Sequence, residues 1–295
     1  MNSSLASRIS LGTANFNKSY GRINPEAVPS GDIKGISQLM KKYDLKSIDT
    51  ALAYSNTTAE FSDWETDFFR DRDVTTKFAI RNFKDGALES EILDAFHRDL
   101  NRKNLRKYKN VLLHDFSDLL GQKSNLTLGV LSKLKSLDLT ESIGFSAYDS
   151  AEIDFALQMF QPDVIQIPLN IFDQRLITSG HIKKLTNMGI RIQARSIFLQ
   201  GLLLTKSENI PAGIEFASNS FKQWWNFVES ESLNPLELCL SFVSSIIEIK
   251  EIVIGVYDSA QLEQILKIQP TNKNYDLSRF VSCDVELLDP RRWHK

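Results

Sequence analysis

The chain has 295 residues, of which 42% are hydrophobic, 24% charged and 10% aromatic. Such fractions belong to an ordinary globular protein and exclude disordered, collagen-like and coiled-coil classes. Lys and Arg number 35 against 37 Asp and Glu, a net charge of -2, so the chain has no electrostatic footprint for a polyanion and nucleic acid is not an expected partner.

The N-terminal segment Met1-Asn2-Ser3-Ser4-Leu5-Ala6-Ser7-Arg8 lacks the apolar core of a signal peptide. No run of about 18 apolar residues occurs, and the greasy stretch from Phe242 to Val256 is cut by Glu248, Lys250 and Glu251. No membrane partner is expected, and the expected location is the cytoplasm. There Cys239 and Cys283, far apart and without metal-ligand spacing, read as reduced, packed thiols.

Short apolar runs alternate with helical patterns along the chain. The runs are Arg8–Ala14, Ser47–Ala51, Val74–Phe78, Val111–His114, Ser142–Ser146, Val164–Asn170, Arg191–Ile197 and Ile252–Val256. Short Val/Ile/Leu-rich runs of this kind are how strands buried on both faces of a parallel sheet read. Between them, Leu88, Ile92, Ala95 and Phe96 fall on one helical face, as do Ile153, Ala156, Leu157 and Phe160, and Phe221, Trp224, Trp225 and Val228. Asn234-Pro235 is a helix start, a capping side chain followed by proline at the first helical position. The interval between the last two strands holds a long loop, Gln200–Ala217, and two helices.

Eight strands with a helix after each predict a (β/α)₈ TIM barrel of class α/β, one domain over residues 1–295 with 269–295 as a tail across one end. A doubly wound sheet is the alternative, but no Gly-x-Gly-x-x-Gly follows any strand.

Barrel active sites gather at the C-terminal ends of the strands. The second run ends in Asp49-Thr50-Ala51 with Tyr54 three residues on, the third in Thr76-Lys77, and the fourth in Leu113-His114. An acid, a phenol, an amine and an imidazole thus stand at one rim. A free tyrosine titrates near 10 and gives up its proton reluctantly at neutral pH. An adjacent ammonium stabilises the phenolate, and an aspartate keeps that ammonium charged. The set describes a tuned phenol that gives or takes a proton at a carbonyl or alcohol, with His114 donating to the substrate oxygen.

These residues resemble the aldo-keto reductase family. The resemblance runs from Leu11-Gly12-Thr13-Ala14-Asn15-Phe16 and Tyr20-Gly21 through Ile48-Asp49-Thr50-Ala51-Leu52-Ala53-Tyr54, Thr76-Lys77 and Leu112-Leu113-His114. It continues through Ile143-Gly144-Phe145-Ser146, Gln166, Arg195-Ser196-Ile197-Phe198-Leu199-Gln200-Gly201-Leu202-Leu203, Ile254-Gly255 and Gln261-Leu262 to Leu288-Asp289-Pro290-Arg291-Arg292-Trp293. It implies a nicotinamide-dependent oxidoreductase acting on an aldehyde, ketone or sugar carbonyl, with a place in sugar metabolism. Tyr54 would be the general acid, Lys77 and Asp49 its tuning pair, and His114 the orienting donor.

On the same resemblance Gly12, Thr13, Asp49 and Ser196 are cofactor-binding residues, Ser146 and Gln166 would hold the carboxamide of the nicotinamide, and Arg195 would stand where the family often stacks an aromatic on its ring. Gly201 and Leu202 border the pyrophosphate, and Gly255, Tyr257, Ser259 and Gln261 the adenosine phosphate. Phe16, Tyr20 and Phe116, with Tyr54 and His114, are candidates to line the substrate pocket, and each of the three aromatics reads equally as core. Two departures stand out. Ala147 replaces the usual Asn after Ser146, and the row Val256-Tyr257-Asp258-Ser259 lacks the basic residues that hold a 2′-phosphate. NADP is the implied cofactor and NAD the alternative. A cofactor-binding regulatory barrel and a Schiff-base aldolase using Lys77 are the competing readings.

Overall fold

Eight parallel strands pair in chain order and the last pairs with the first, closing a barrel. They are β1 (Ile9–Gly12), β2 (Ser47–Asp49), β3 (Asp73–Phe78), β4 (Tyr108–Leu113), β5 (Thr140–Ser146), β6 (Val164–Pro168), β7 (Arg191–Arg195) and β8 (Ile249–Gly255). The chain is a (β/α)₈ TIM barrel, and each expected apolar run contains or overlaps one of these strands. The computed structural model describes residues 5–16, 28–54, 67–210, 214, 217–271, 273 and 275–293.

Among the described residues, eight helices of seven residues or more follow the strands: α1 (Ser30–Lys42), α2 (Glu89–Lys103), α3 (Lys123–Ser136), α4 (Ser150–Met159), α5 (His181–Asn187), α6 (Ser218–Ser230), α7 (Pro235–Ser245) and α8 (Ser259–Lys267). Asn234 caps α7 as its sequence predicts, its side chain accepting from the amides of Leu236 and Glu237. Leu88 departs from the expected α2 stripe. It is the N-cap residue and 65% exposed, while the buried face continues instead through Ile92, Phe96 and Leu100.

The strands bury both faces, but the two faces differ in chemistry. Alternation sends Leu11, Ile48, Val74, Val111, Phe145, Ile165, Ile192 and Ile252 outward into the main core beneath the helices. The positions between them point into the barrel, and there the residues are mostly polar: Asp49, Thr75, Lys77, Asn110, Ser142, Gln166 and Gln193 are all buried. Barrel interiors are usually filled by branched apolar side chains. This one is held instead by side-chain hydrogen bonds, which have to be satisfied because each unmet buried group would cost about 1–3 kcal/mol. Gly144 allows β5 and β6 to approach: a Cβ there would stand 1.7 Å from the Val164 carbonyl oxygen.

A second apolar cluster lies beyond the barrel, under the loops after β6 and β7. Phe172, Phe221, Trp224 and Phe280 pack there with Leu287, Leu288 and Trp293 of the C-terminal segment. The three aromatics Phe221, Trp224 and Trp225 are thus core side chains, with both indole N–H groups satisfied by the carbonyls of Leu203 and Thr205. Cys239 is buried and Cys283 exposed, so only the first is a packed thiol. No described helix is long and apolar enough to cross a membrane.

Candidate active site

The C-terminal ends of the strands open into one cavity of about 520 Å³. Asp49 from β2, Lys77 from β3, His114 after β4 and Tyr54 from the turn after β2 all line it. Asp49 and Lys77 are each at the end of a strand whose other face is locked into the core, so their side chains have little freedom. The Lys77 Nζ lies 2.5 Å from Asp49 Oδ1, and both side chains are only 6% exposed. Burial pulls the Lys77 amine down from its ordinary value, Asp49 pushes it back up, and the Arg195 guanidinium lowers it further. The rings of Tyr54 and His114 meet edge to face, with centroids 6.3 Å apart.

Gln166 completes this group. Its Oε1 accepts from Lys77 Nζ at 3.1 Å, and its Nε2 donates to Asp49 Oδ2 at 2.7 Å and to Gln193 Oε1 at 3.0 Å. Both amide hydrogens are therefore used inside the protein, and only a lone pair of Oε1 is left to face the cavity. Beside it Ser146 Oγ accepts from Arg195 Nε at 3.2 Å, and Arg195 also reaches the Ala147 carbonyl at 3.1 Å and Ser196 Oγ at 3.3 Å. The Arg195 guanidinium in turn lies 4.1 Å from the Tyr148 ring centroid, whose ring also carries Arg291 at 3.5 Å.

The loop after β7 is bent tightly around the cavity. Ser196, Leu199 and Gln200 have φ of 58°, 47° and 54°, and Gly201 follows at 92°. Three non-glycine residues in the left-handed region within five positions represent stored strain of the kind that clusters at functional sites. At the opposite end, Gly255 and Gln261 border the cavity, with Asp258 capping α8 by accepting from the Gln261 amide at 2.7 Å. Gln261 Oε1 accepts from the Tyr257 amide. Ser259 is held by α1: its amide donates to Asp32 Oδ2 at 2.5 Å and its hydroxyl to Asp32 Oδ1 at 2.7 Å.

Of the expected site residues, the cavity gathers Gly12, Asp49, Tyr54, Lys77, His114, Ser146, Gln166, Arg195, Ser196, Gly201, Gly255, Tyr257 and Gln261. Others stand elsewhere. Thr13 is buried behind the wall, its amide on the Asp49 carbonyl and its hydroxyl on Thr50 Oγ1. Leu202 belongs to the second apolar cluster, and Ser259 faces Asp32. Phe16 packs edge to face on Phe68 in the core, and Phe116 packs on Phe155. Tyr20 lies outside the described residues. The cavity also takes Asn15, Tyr148 and Gln200 from loops, Gln264 from α8 and Pro290 from the C-terminal segment, none of which stands at the end of a strand.

A family model described as the aldo/keto reductase family matches residues 8–283. The chain belongs to the aldo/keto reductase family. No sequence among the curated proteins matches the reductase. Among solved structures, the holo form of the aldo-keto reductase AKR11C1 from Bacillus halodurans is 15% identical, with 97% of this chain and 95% of that one covered at a TM-score of 0.70. The thermostable aldo-keto reductase Tm1743 in complex with the inhibitor epalrestat is 16% identical over 92% of each chain, at a TM-score of 0.65. At such identity the likeness speaks for the fold alone. The family is one of NAD(P)-dependent oxidoreductases, and this reductase shares its barrel.

Proposed function

We propose that the protein is a carbonyl reductase, or the reverse alcohol dehydrogenase, with Tyr54 as general acid. The observation that carries the reading is the buried Lys77–Asp49 pair, 2.5 Å apart, in the same cavity wall as Tyr54 and His114. When bound, the nicotinamide supplies or takes the hydride. Tyr54 protonates the carbonyl oxygen as it becomes an alkoxide, and the positive Lys77 beside it makes the phenolate left behind less costly. Asp49 and Gln166 keep Lys77 charged and aimed, while His114 hydrogen-bonds the same carbonyl oxygen. The cavity's apolar wall, including Phe198, Leu204 and Leu236, keeps water from competing for that oxygen. An ammonium held by two acceptors is the wrong form for Schiff-base attack, which needs the neutral amine, so this geometry favours reduction over aldol chemistry.

The residues present suit a nicotinamide cofactor at the end nearest the tetrad. Gly12 and Gly255 both line the cavity, and nothing lies within 4 Å of where a Gly255 Cβ would stand. Ser146, the left-handed loop from Ser196 to Gly201 and the guanidinium of Arg195 would hold the nicotinamide and pyrophosphate. Arg195 takes the place of the family's stacking aromatic as a planar cation. At the adenosine end, Asp258 and Asp32 already occupy the free amides at the start of α8. Two carboxylates at that helix N-terminus oppose a phosphate dianion and leave a ribose hydroxyl unopposed. This favours NAD over NADP. Small carbonyl compounds, sugars among them, are the substrates proposed.

Initial rates of NADH and NADPH oxidation against a panel of aldehydes, ketones and aldoses test the reading. Turnover with at least one carbonyl is expected. Tight cofactor binding by fluorescence with no turnover on any of them would favour the regulatory barrel instead.

A further inference from the structure

The barrel interior below the tetrad holds a continuous hydrogen-bonded chain that ends on a carboxyl near the opposite mouth. Sheet register sets Gln166 beside Gln193 and Gln193 beside Glu251 on three successive strands, all on the inner face. Gln166 Nε2 donates to Gln193 Oε1 at 3.0 Å, and Gln193 Nε2 donates to Glu251 Oε2 at 3.0 Å and to Thr75 Oγ1 at 3.3 Å. With the Lys77–Gln166 bond at 3.1 Å, two amides link the ammonium to the carboxyl.

We propose that Glu251 is a positioning residue for the Lys77–Asp49 pair, acting through the side-chain amides of Gln193 and Gln166. The inference rests on the reading of that pair as the tuning groups of Tyr54. Its physical basis is the direction of the chain. An ammonium has only donors, so Gln166 must turn its oxygen to Lys77 and its N–H groups away. Gln193 must then receive with its oxygen and donate with its N–H, and an ionised Glu251 only accepts. Both amide dipoles therefore point the same way, oxygen toward the cation and N–H toward the anion. Flipping either amide sets donor against donor or oxygen against oxygen. An amide chain does not pass protons, so the role is holding and polarising, not relay.

The charged groups around Glu251 leave Gln193 as its donor. Arg191 on β7 is turned to Asn110 Oδ1 at 2.9 Å and Ser142 Oγ at 2.7 Å, and no cation stands within 4.0 Å of Glu251 among the described residues. Asp73 on β3 and Asp49 on β2 are its like-charged neighbours, and Arg8 spans the carbonyls of Ile249, Ser244 and Ile246 at the base of β8. Burial pushes the Glu251 carboxyl up to about 7, Arg191 pulling it down, Asp49 and Asp73 adding to the rise, and the Gln193 hydrogen bond easing it. The far end of the chain thus changes charge near neutral pH.

The test uses the full chain in four forms: wild type, Glu251→Gln, Gln193→Met and the double variant. Glu251→Gln keeps the acceptor and removes the charge, whereas Gln193→Met breaks the link. For the carbonyl that wild type turns over, the inflection of kcat near pH 7 is expected to vanish in both single variants. We expect kcat to fall about 3-fold in the first and about 10-fold in the second, with KM unchanged and the double variant no worse than Gln193→Met. Unchanged pH profiles, or effects that add, overturn the proposal.

A readout without turnover keeps it separate from the functional reading. In wild type, Lys77→Met should raise the midpoint of the ¹³C-glutamate signal of Glu251 by about half a pH unit, and in the Gln193→Met background by less than half of that. The same shift in both backgrounds shows a through-space field alone and sinks the proposal. No turnover in wild type, with the predicted midpoint shifts, sinks only the reductase reading.

Discussion

Removing the carboxylate of Asp49 by Asp49→Asn isolates what holds the central lysine. Its Oδ1 stands 2.5 Å from Lys77 Nζ, with both side chains 6% exposed. At that separation and an effective dielectric near 20, the gross attraction is about 7 kcal/mol, most of it offset by the loss of hydration of two ions. Breaking the pair from one side leaves an uncompensated buried ammonium, which costs about 3–5 kcal/mol. Gln166 Oε1 at 3.1 Å accepts from the lysine but carries no charge, so it cannot replace Asp49. In a barrel of this size the melting temperature should drop by about 6–15 °C. Lys77→Met should cost a similar amount by stranding Asp49. The double variant Asp49→Asn/Lys77→Met should be less damaged than the two losses added, by about 2 kcal/mol or more. Thermal unfolding of the four proteins by circular dichroism gives the cycle. Additive losses, or an Asp49→Asn drop under about 2 °C, would show that the pair is not coupled in the way its geometry requires.

Three further outcomes follow from particular contacts. Asp32→Asn keeps an acceptor for Ser259 but removes a charge from the start of α8, so NADP should bind about 10-fold tighter by calorimetry with NAD unchanged; equal effects on both cofactors would place the 2′-phosphate elsewhere. Gly144→Ala puts a methyl group 1.7 Å from the Val164 carbonyl and should lower the melting temperature by about 6 °C or more, a wild-type value meaning that β5 and β6 separate freely. Glu251 has a folded value of about 7, above its ordinary 4.5, so its protonation stabilises the fold fully below about pH 4.5 and that contribution is lost as pH rises through about 7. Since the side chain is half-buried, solvent reduces the effect to about 1–2 kcal/mol. The melting temperature of wild type relative to Glu251→Gln should therefore fall between pH 5 and pH 8, and a constant difference would contradict the assigned burial.

The eight strands were legible because each apolar run is short and carries outward-facing residues such as Ile48, Val111 and Ile165 that the helices cover. Asp49, Lys77 and His114 were legible because a barrel collects polar chemistry at strand ends. The polar interior was visible only as residues like Gln166 and Gln193 within those runs, and their pairing needs the sheet register that sequence does not supply. Asp32 was hidden for the same reason: it meets Ser259 across a separation of 227 residues, and only barrel closure brings α1 to α8. Phe16 and Leu202 show the converse. Motif position marks them for the cavity, yet an aromatic and a leucine near the rim find more apolar area to bury in the two cores.

Everything proposed for the cavity turns on Tyr54 as the source of the proton. Steady-state and single-turnover rates of wild type and Tyr54→Phe, measured with the carbonyl wild type reduces best, test it most directly. With Tyr54 as the acid, kcat falls about 10²–10⁴-fold in Tyr54→Phe while cofactor affinity by fluorescence stays within about 2-fold. Retention of the wild-type rate by Tyr54→Phe would contradict it.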